Sequence, residues 1–403
     1  MKKLSFSLLL FSAACLSMIY FVANLAEKEI KAALSDIQNA DFSTQLLSYE
    51  RGFFSATAIT EAQINTDQDA PLTFKIITTI HHYPYQAVLN NHIELTDTTM
   101  AQKAASYFGR ADWITSVETI NLLSQLTGQL TVIAGKYESE SESMQSKPLV
   151  LDYQVDLKNK KADLVLNWAG LVGTTYGTSL RLNGLTLTSH IASLSIQDDY
   201  DYQIAIETLE VQQENTQSLI EGIQLTGNSQ QGQKVDTLDT LNDLSINSYQ
   251  IKNETIQTFT KNRLKLALTG LYQPAFELIN TGSDDPQIIQ QALNELVNHG
   301  AQLSLSTLSS QTPWGEIDGE LDLVLDKGAS LMDIIINPYI LFDYISGDAR
   351  LMLPVTLLDE PLLAESLQMG VMTGFLEVNE ETLNLQTSFQ KGELTVNGRI
   401  VPL

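Results

Sequence analysis

Five histidines, His81, His82, His92, His190 and His299, bound the imidazole chemistry open to this chain. The adjacent pair His81-His82 is where a metal would be sought first. Neighbouring residues on a strand point to opposite faces, so two such imidazoles do not converge on one ion, and the pair reads as strand or loop structure. Gly227 to Lys234 reads Gly-Asn-Ser-Gln-Gln-Gly-Gln-Lys, close to a phosphate-binding loop. Gln233 displaces the lysine by one place and Val235 stands where Ser or Thr is needed, so the segment reads as a polar hairpin loop. Asp198-Asp199-Tyr200-Asp201 lacks the spaced oxygens and turn glycine of a calcium loop and reads as a solvated turn. Asp284-Asp285 before Pro286 suits the positive end of a helix dipole. Neither Gly-x-Ser-x-Gly nor His-Glu-x-x-His occurs. The single cysteine, Cys15, permits no intramolecular disulfide and no thiolate cluster. These residues assign no catalytic group, no metal and no cofactor, and the expectation is a protein without enzymatic activity.

The most distinctive segment is Tyr49-Glu50-Arg51-Gly52-Phe53-Phe54-Ser55, where a charged pair and a glycine interrupt two strand-like stretches among aromatics. A bend or bulge accounts for the glycine. Arg51 has many carboxylates to pair with, and such a pair fixes register rather than performing catalysis.

Those residues need a scaffold, and composition says that one is available. Hydrophobic residues make up 43% of the 403-residue chain and charged ones 18%, the balance of a folded protein rather than a disordered one. Lys+Arg 23 against Asp+Glu 48 gives a net charge of −25, which repels phosphate-rich partners and excludes nucleic acid as an expected ligand.

Lys2 and Lys3 precede an uncharged run, Leu4 to Leu25, of about 22 residues, enough to cross roughly 30 Å of hydrocarbon as a helix. Residues 1–26 therefore read as a signal-anchor, spanning through residues 4–25, with the lysines cytoplasmic and the body exported. The competing reading is a cleaved signal peptide, for which Ser12-Ala13-Ala14 offers small residues. Against it, apolar character continues through Met18, Ile19, Tyr20, Phe21 and Val22. Ala14-Cys15 lacks the upstream leucine of a lipoprotein. From Glu27 to Asn39, Ile30, Ala33, Leu34 and Ile37 recur at helical spacing, which predicts an amphipathic stalk that lifts the body off the membrane.

Beyond the stalk the period changes to two. Leu72, Phe74, Ile76, Thr78 and Ile80 form one strand face, and Leu149, Leu151, Tyr153, Val155 and Leu157 another. Lys158-Asn159-Lys160-Lys161 reads as a hairpin turn before Leu164 to Trp168. Alternation recurs over 180–187, 202–211, 264–268, 303–308, 321–325, 383–389 and 394–401, with Gly184, Gly319 and Lys391-Gly392 as turn markers. Helices are predicted over 99–108, 286–298 and 357–369. The fold class is α+β, mainly β: an extended antiparallel meander-like sheet with a few covering helices, after one transmembrane helix. Glu138 to Ser146 reads as a solvated loop dividing an N-terminal β-rich subdomain, 27–137, from a main β-rich domain, 147–403.

Tyr49, Arg51, Gly52, Phe54 and Ser55, placed shortly after an apolar helix, resemble the opening motif of the YdgA-like family of bacterial envelope proteins, a family of unknown function. His82-Tyr83-Pro84-Tyr85-Gln86 is similar to a second family element, His-Gly-Pro-aromatic-Pro, with Tyr83 and Gln86 departing from it. Leu219 to Ile223, Pro313 to Glu316 and Phe389 to Gly398 extend the resemblance nearly end to end. It implies an inner-membrane-anchored periplasmic protein of Gram-negative bacteria. It brings no catalytic residue, so Tyr49, Arg51, Gly52, Phe54, Ser55, His82 and Pro84 are expected to be structural.

Three functions fit these readings. The first is a non-catalytic envelope protein that binds a lipid or an envelope protein through its sheet. The second is a carboxylate-dependent envelope hydrolase, and the third an assembly protein pairing through a sheet edge.

Overall fold

The computed structural model describes residues 2–36, 42–65, 71–193, 199–280, 286–390 and 392–401; the side chains of residues 2–13, 33, 35, 36 and 280 lie outside that description. Twenty-two strands among the described residues belong to one antiparallel sheet. Contacts divide the chain into two compact units: Met1–Tyr176 with Leu185–Ser195, and Gly177–Gly184 with Ile196–Leu403.

The first unit begins with a helix, α1 (Lys2–Asp36), followed by two hairpins, β1 (Phe42–Arg51) with β2 (Ser55–Ile64) and β3 (Leu72–His82) with β4 (Gln86–Leu95). A short helix α2 (Thr98–Phe108) leads into β5 (Ile114–Asn121) and β6 (Gln125–Val132). Asp97 caps α2, its carboxylate accepting from the Met100 backbone N–H at 2.8 Å. Next come β7 (Gly135–Glu138), β8 (Glu142–Ser146), β9 (Leu149–Asp156) and β10 (Lys161–Thr175), and β11 (Thr178–Ile191) is divided between the units.

Strands β1 to β6 pair in chain order, β6 then pairs with β9 and β9 with β10, from Arg51↔Ala56 through Ser55↔His81, Gln86↔Asn121 and Gln125↔Asp156 to Lys161↔Asp156, while the hairpin of β7 and β8 joins through β10. That register puts four hairpin turns, 52–54, 83–85, 122–124 and 157–160, in a row along one end of the first unit. The Glu138 to Ser146 stretch is itself a hairpin, with Glu138 opposite Ser143, rather than a solvated loop. Its alternating Glu and Ser residues suit a ribbon largely open to water, which leaves no apolar signature to read.

The core of this unit is the seam between α1 and the sheet. Val22 and Ala26 pack with Ala56, Ala58, Ile80, Ala87, Leu89 and Ile120, and Ile30 and Leu46 lie against them. Ile19, Val22, Ala23 and Ala26 repeat at three- and four-residue spacing on one helix face. The many alanines let the helix backbone approach the pleat closely. The predicted stalk is therefore corrected: residues 19–34 lie on the sheet instead of lifting it away from the N-terminal segment, and Ile37 and Asn39 lie outside the described residues. Among the described residues no helix is long and apolar enough to cross a membrane. Part of the expected 4–25 span, the side chains up to residue 13, lies outside that set.

The second unit is again a meander: β12 (Tyr200–Gln213), β13 (Thr216–Gln231), β14 (Thr237–Lys252) and β15 (Ile256–Tyr272), then helices α3 (Gln273–Asn280) and α4 (Pro286–His299). It continues through β16 (Ala301–Thr312), β17 (Gly315–Leu325), α5 (Leu331–Ile336), β18 (Ile345–Pro354) and α6 (Ala364–Thr373). It closes with β19 (Glu377–Asn379), β20 (Thr382–Gln390), β21 (Glu393–Val396) and β22 (Arg399–Val401).

Several local expectations change here. Gly227 to Gln231 belongs to β13, and only 232–236 turns. Gly184 and Gly319 sit inside β11 and β17 rather than in turns; a Cβ on Gly184 would meet the Glu207 side chain at 2.3 Å. The helix predicted over 357–369 is split into a 3-10 turn, Val355–Asp359, and α6, because Pro361 cannot continue the ladder of the turn before it. Residues 394–401 form the hairpin of β21 and β22, turning at Asn397 and Gly398. Tyr200 and Asp201 open β12, whereas Asp198 and the pair Asp284-Asp285 lie outside the described residues.

Candidate functional site

The residues singled out in the sequence come together at the turn-bearing end of the first unit. Tyr49 and Arg51 end β1, Gly52 and Phe54 form its turn, and Ser55 opens β2 opposite His81. The Gly52 N–H donates to the Ser55 carbonyl at 2.7 Å, and a Cβ on Gly52 would lie 2.8 Å from that oxygen, so the turn closes only around glycine. The neighbouring hairpin locks on: the His82 N–H donates to the Phe54 carbonyl at 2.8 Å, and Tyr83 N–H to the Gln86 carbonyl at 2.8 Å, closing the turn that holds Pro84.

His82 Nδ1 lies 3.2 Å from the Phe53 carbonyl oxygen. A carbonyl only accepts, so Nδ1 carries the proton and Nε2 is a buried lone pair without a hydrogen-bond partner. With the residue 4% exposed, burial lowers the His82 pKa below its usual 6.5. Between that usual value and the lowered one, the unfolded chain holds a proton that the folded chain refuses, so stability falls as pH drops through 6.5. Replacing His82 with Asn keeps an N–H toward Phe53 but removes the titration. The expected outcome is a smaller loss of thermal stability on acidification below pH 6.5 than in the parent, measured by calorimetry; an equal loss would contradict a buried neutral imidazole.

Arg51 then reaches the helix. Its Nη1 donates to Asn24 Oδ1 at 2.6 Å and to Glu27 Oε2 at 3.2 Å, and the guanidinium lies 4.9 Å from the Tyr20 ring centroid. Lys31 donates to Glu27 Oε1 at 2.7 Å and sits 5.4 Å from the Tyr49 ring centroid. Lys31 first, with Arg51 behind it, holds the Glu27 carboxyl below its usual range. Burial, helped by the Glu27 charge, pushes the Tyr49 phenol up to about 12. The signature residues thus form a clasp that fastens α1 to the sheet, and the expected pairing of Arg51 with a carboxylate is present.

Below the clasp, α1 and the sheet enclose a cleft of about 320 Å³. Ile30, Leu34, Ile76, Ile93, Leu126 and Leu130 are among its apolar walls. Polar side chains from β3, β4, β5 and β9 meet in it. Thr78 Oγ1 donates to Asn91 Oδ1 at 2.6 Å, and Asn91 Nδ2 donates to Ser116 Oγ at 2.7 Å and to Glu118 Oε1 at 2.8 Å. Ser116 Oγ donates to the same Glu118 oxygen at 3.0 Å and Tyr153 Oη at 2.5 Å.

Tyr153 reaches Glu118 by crossing the strand between them. Glu118 faces Gly128 across β5 and β6, and Gly128 faces Tyr153 across β6 and β9. A Cβ on Gly128 would lie 2.4 Å from Tyr153 Cζ, so the missing side chain is the space the ring occupies. Tyr202 crosses Gly227 to donate to Asn242 Oδ1 at 2.7 Å in the second unit, a repeat of the same device. Burial, together with the Glu118 charge and hydrogen bond, pushes the Tyr153 phenol well above its usual pKa, so it remains a donor. The cluster offers an ordered polar end in a mostly apolar cleft, with Glu118 Oε1 accepting from three donors.

The sequence reading missed this cluster and the clasp's helix side, Asn24 and Glu27. One signal was present: Thr78 is a polar break in the inward face of Leu72, Phe74, Ile76 and Ile80. His81 and His82 take opposite faces of β3, as strand geometry requires. Among the described residues no group of three or more His, Cys, Asp or Glu side chains could hold a metal ion.

No curated protein and no solved structure matches the chain. A family described as "Bacterial protein of unknown function (DUF945)" matches residues 1–403, in keeping with the resemblance carried by the Tyr49–Ser55 motif, and the chain belongs to that family.

Proposed function

We propose that this protein is a non-catalytic bacterial envelope protein that holds the hydrocarbon part of a lipid in the cleft under α1. One observation carries the reading: a mostly apolar cleft of about 320 Å³ with a single ordered polar cluster, Asn91, Ser116, Glu118 and Tyr153. That volume is within the roughly 300–1,000 Å³ range of small-ligand sites, and the mix of apolar walls with a few convergent polar groups is their usual composition. The uncharged run Leu4 to Leu25 behind Lys2 and Lys3 supports an inner-membrane location with the body in the periplasm.

The test is labelling of the full chain in membranes with a photoactivatable fatty acid, followed by peptide mapping. Crosslinks are expected on β5, β6 and β9, and Leu130→Trp, which fills the cleft, is expected to reduce them several-fold. Labelling that is unchanged in that variant, or that maps elsewhere, would remove the lipid reading and turn attention to a protein partner.

The hydrolase reading has one observation behind it, since Glu29 and Glu118 both line the cleft. Glu118 Oε1 already accepts three hydrogen bonds, which suits a fixed acceptor better than a general acid.

A further inference from the structure

We infer that the row of hairpin turns at one end of the first unit is a membrane-docking face that rests in the headgroup region of an anionic bilayer. The inference shares the membrane reading of the N-terminal segment and is independent of the cleft's ligand.

The first argument is length. From Ile19 onward α1 is already committed to the sheet, and Arg51 grips Asn24 at the turn-bearing end. At the other end of β1, Thr44 Oγ1 donates to the Leu34 carbonyl at 2.8 Å, so the helix leaves the unit past the hairpin turns. The uncharged stretch Leu4 to Met18 precedes Ile19, the first residue buried on the sheet among the described side chains. Its 15 residues span about 22 Å as a helix, short of the roughly 30 Å of a hydrocarbon core. No slack separates body from membrane. The shortfall is met by drawing Tyr20 and Phe21, both exposed, into the bilayer, and the turns beside them go to its surface.

The second argument is what those turns carry. Phe54 is 61% exposed, Tyr85 60% and Leu123 71%, one from each of three successive turns, with Phe53 and Tyr83 beside them. Aromatic residues with one wet and one apolar side are those that settle at the membrane interface. The fourth turn supplies charge: Lys158, Lys160 and Lys161 are exposed and clustered in a chain of net charge −25 with only 23 basic residues. Beside them, Asp156 accepts from the backbone N–H groups of Lys158 and Asn159, and Glu50 is exposed at the β1 end. Basic residues at a membrane surface favour anionic headgroups.

The experiment reconstitutes the full chain, with Cys15→Ser, into vesicles of phosphatidylethanolamine and phosphatidylglycerol containing a nitroxide-bearing lipid. Single cysteines replace Phe54, Tyr85 or Leu123, and Glu140 at the far end of the unit serves as control; each carries an environment-sensitive fluorophore. Quenching is expected to be several-fold greater at the three turn positions than at Glu140. Changing Lys158, Lys160 and Lys161 together to Glu is expected to reduce it on anionic vesicles and not on zwitterionic ones. Protein that floats with the vesicles while its turns are quenched no more than Glu140 overturns docking and leaves anchoring intact. Protein absent from the floated vesicles overturns both.

Discussion

Gly128→Ala destabilises the first unit by about 2 kcal/mol, the sum of a crowded tyrosine and a lost hydrogen bond to a charged acceptor. The added Cβ would lie 2.4 Å from Tyr153 Cζ, and the ring must leave Glu118 to make room. The cost falls on the side chain rather than the backbone, since the ring is the atom group that yields. The second half of the cycle changes the sign. In a Tyr153→Ala background the space is vacant, and Gly128→Ala becomes neutral or stabilising by about 0.5–1 kcal/mol, the ordinary preference of a strand interior for alanine over glycine. Urea unfolding of the four proteins, followed by near-ultraviolet circular dichroism, measures this coupling. Additive effects of the two substitutions would mean that the glycine does not exist to let the tyrosine through.

Ala26→Asp is expected to cost about 3 kcal/mol or more, because it places a carboxylate where nothing compensates it. Ala26 is 0% exposed and packed among Val22, Ala56, Ala58, Ile80 and Leu89. The cheapest response is release of α1 from the sheet, which would uncover the apolar cleft. Limited proteolysis should then cut between α1 and β1 far faster than in the parent. Lys28→Asp, two residues on at an exposed position, makes the same charge type without burial and should leave the cleavage rate nearly unchanged. Equal protection of both variants would show that α1 is not held by this seam. The same geometry bears on truncation: removing residues 1–26 would delete Val22 and Ala26 from the core, so a body beginning at residue 27 is expected to lose stability.

Strand identity was widely legible because one face of each ribbon is apolar and the other wet. Leu72 to Ile80 and Leu149 to Val155 alternate in sequence and lie in β3 and β9. Legibility failed where that contrast is absent. The Glu138 to Ser146 ribbon is polar on both faces, so its pairing left no trace. Glycines misled for a related reason: Gly184, Gly227 and Gly319 mark sites where a neighbouring chain or ring comes close, and in isolation that need looks the same as a turn. The signature Tyr49 to Ser55 was legible as a geometric device, and its glycine closes a turn as its type suggests. Its partners were not, since Asn24 and Glu27 lie 27 and 24 positions away from Arg51 in the chain.

By itself, then, the sequence determined the mainly β character of the chain, its acidity, the absence of the common catalytic motifs, the family it belongs to and the apolar N-terminal helix. Each of these is a property of composition or of short-range period, which adjacent residues already encode. The tertiary structure alone decided that the helix is a structural member of the first unit, that Arg51 is its clasp, and that Thr78, Asn91, Ser116, Glu118 and Tyr153 meet in one cleft. Those facts depend on register across β3, β4, β5, β6 and β9, where a shift of one residue would turn every side chain to the opposite face. Register is set by the strands of the first unit pairing over their common core with α1.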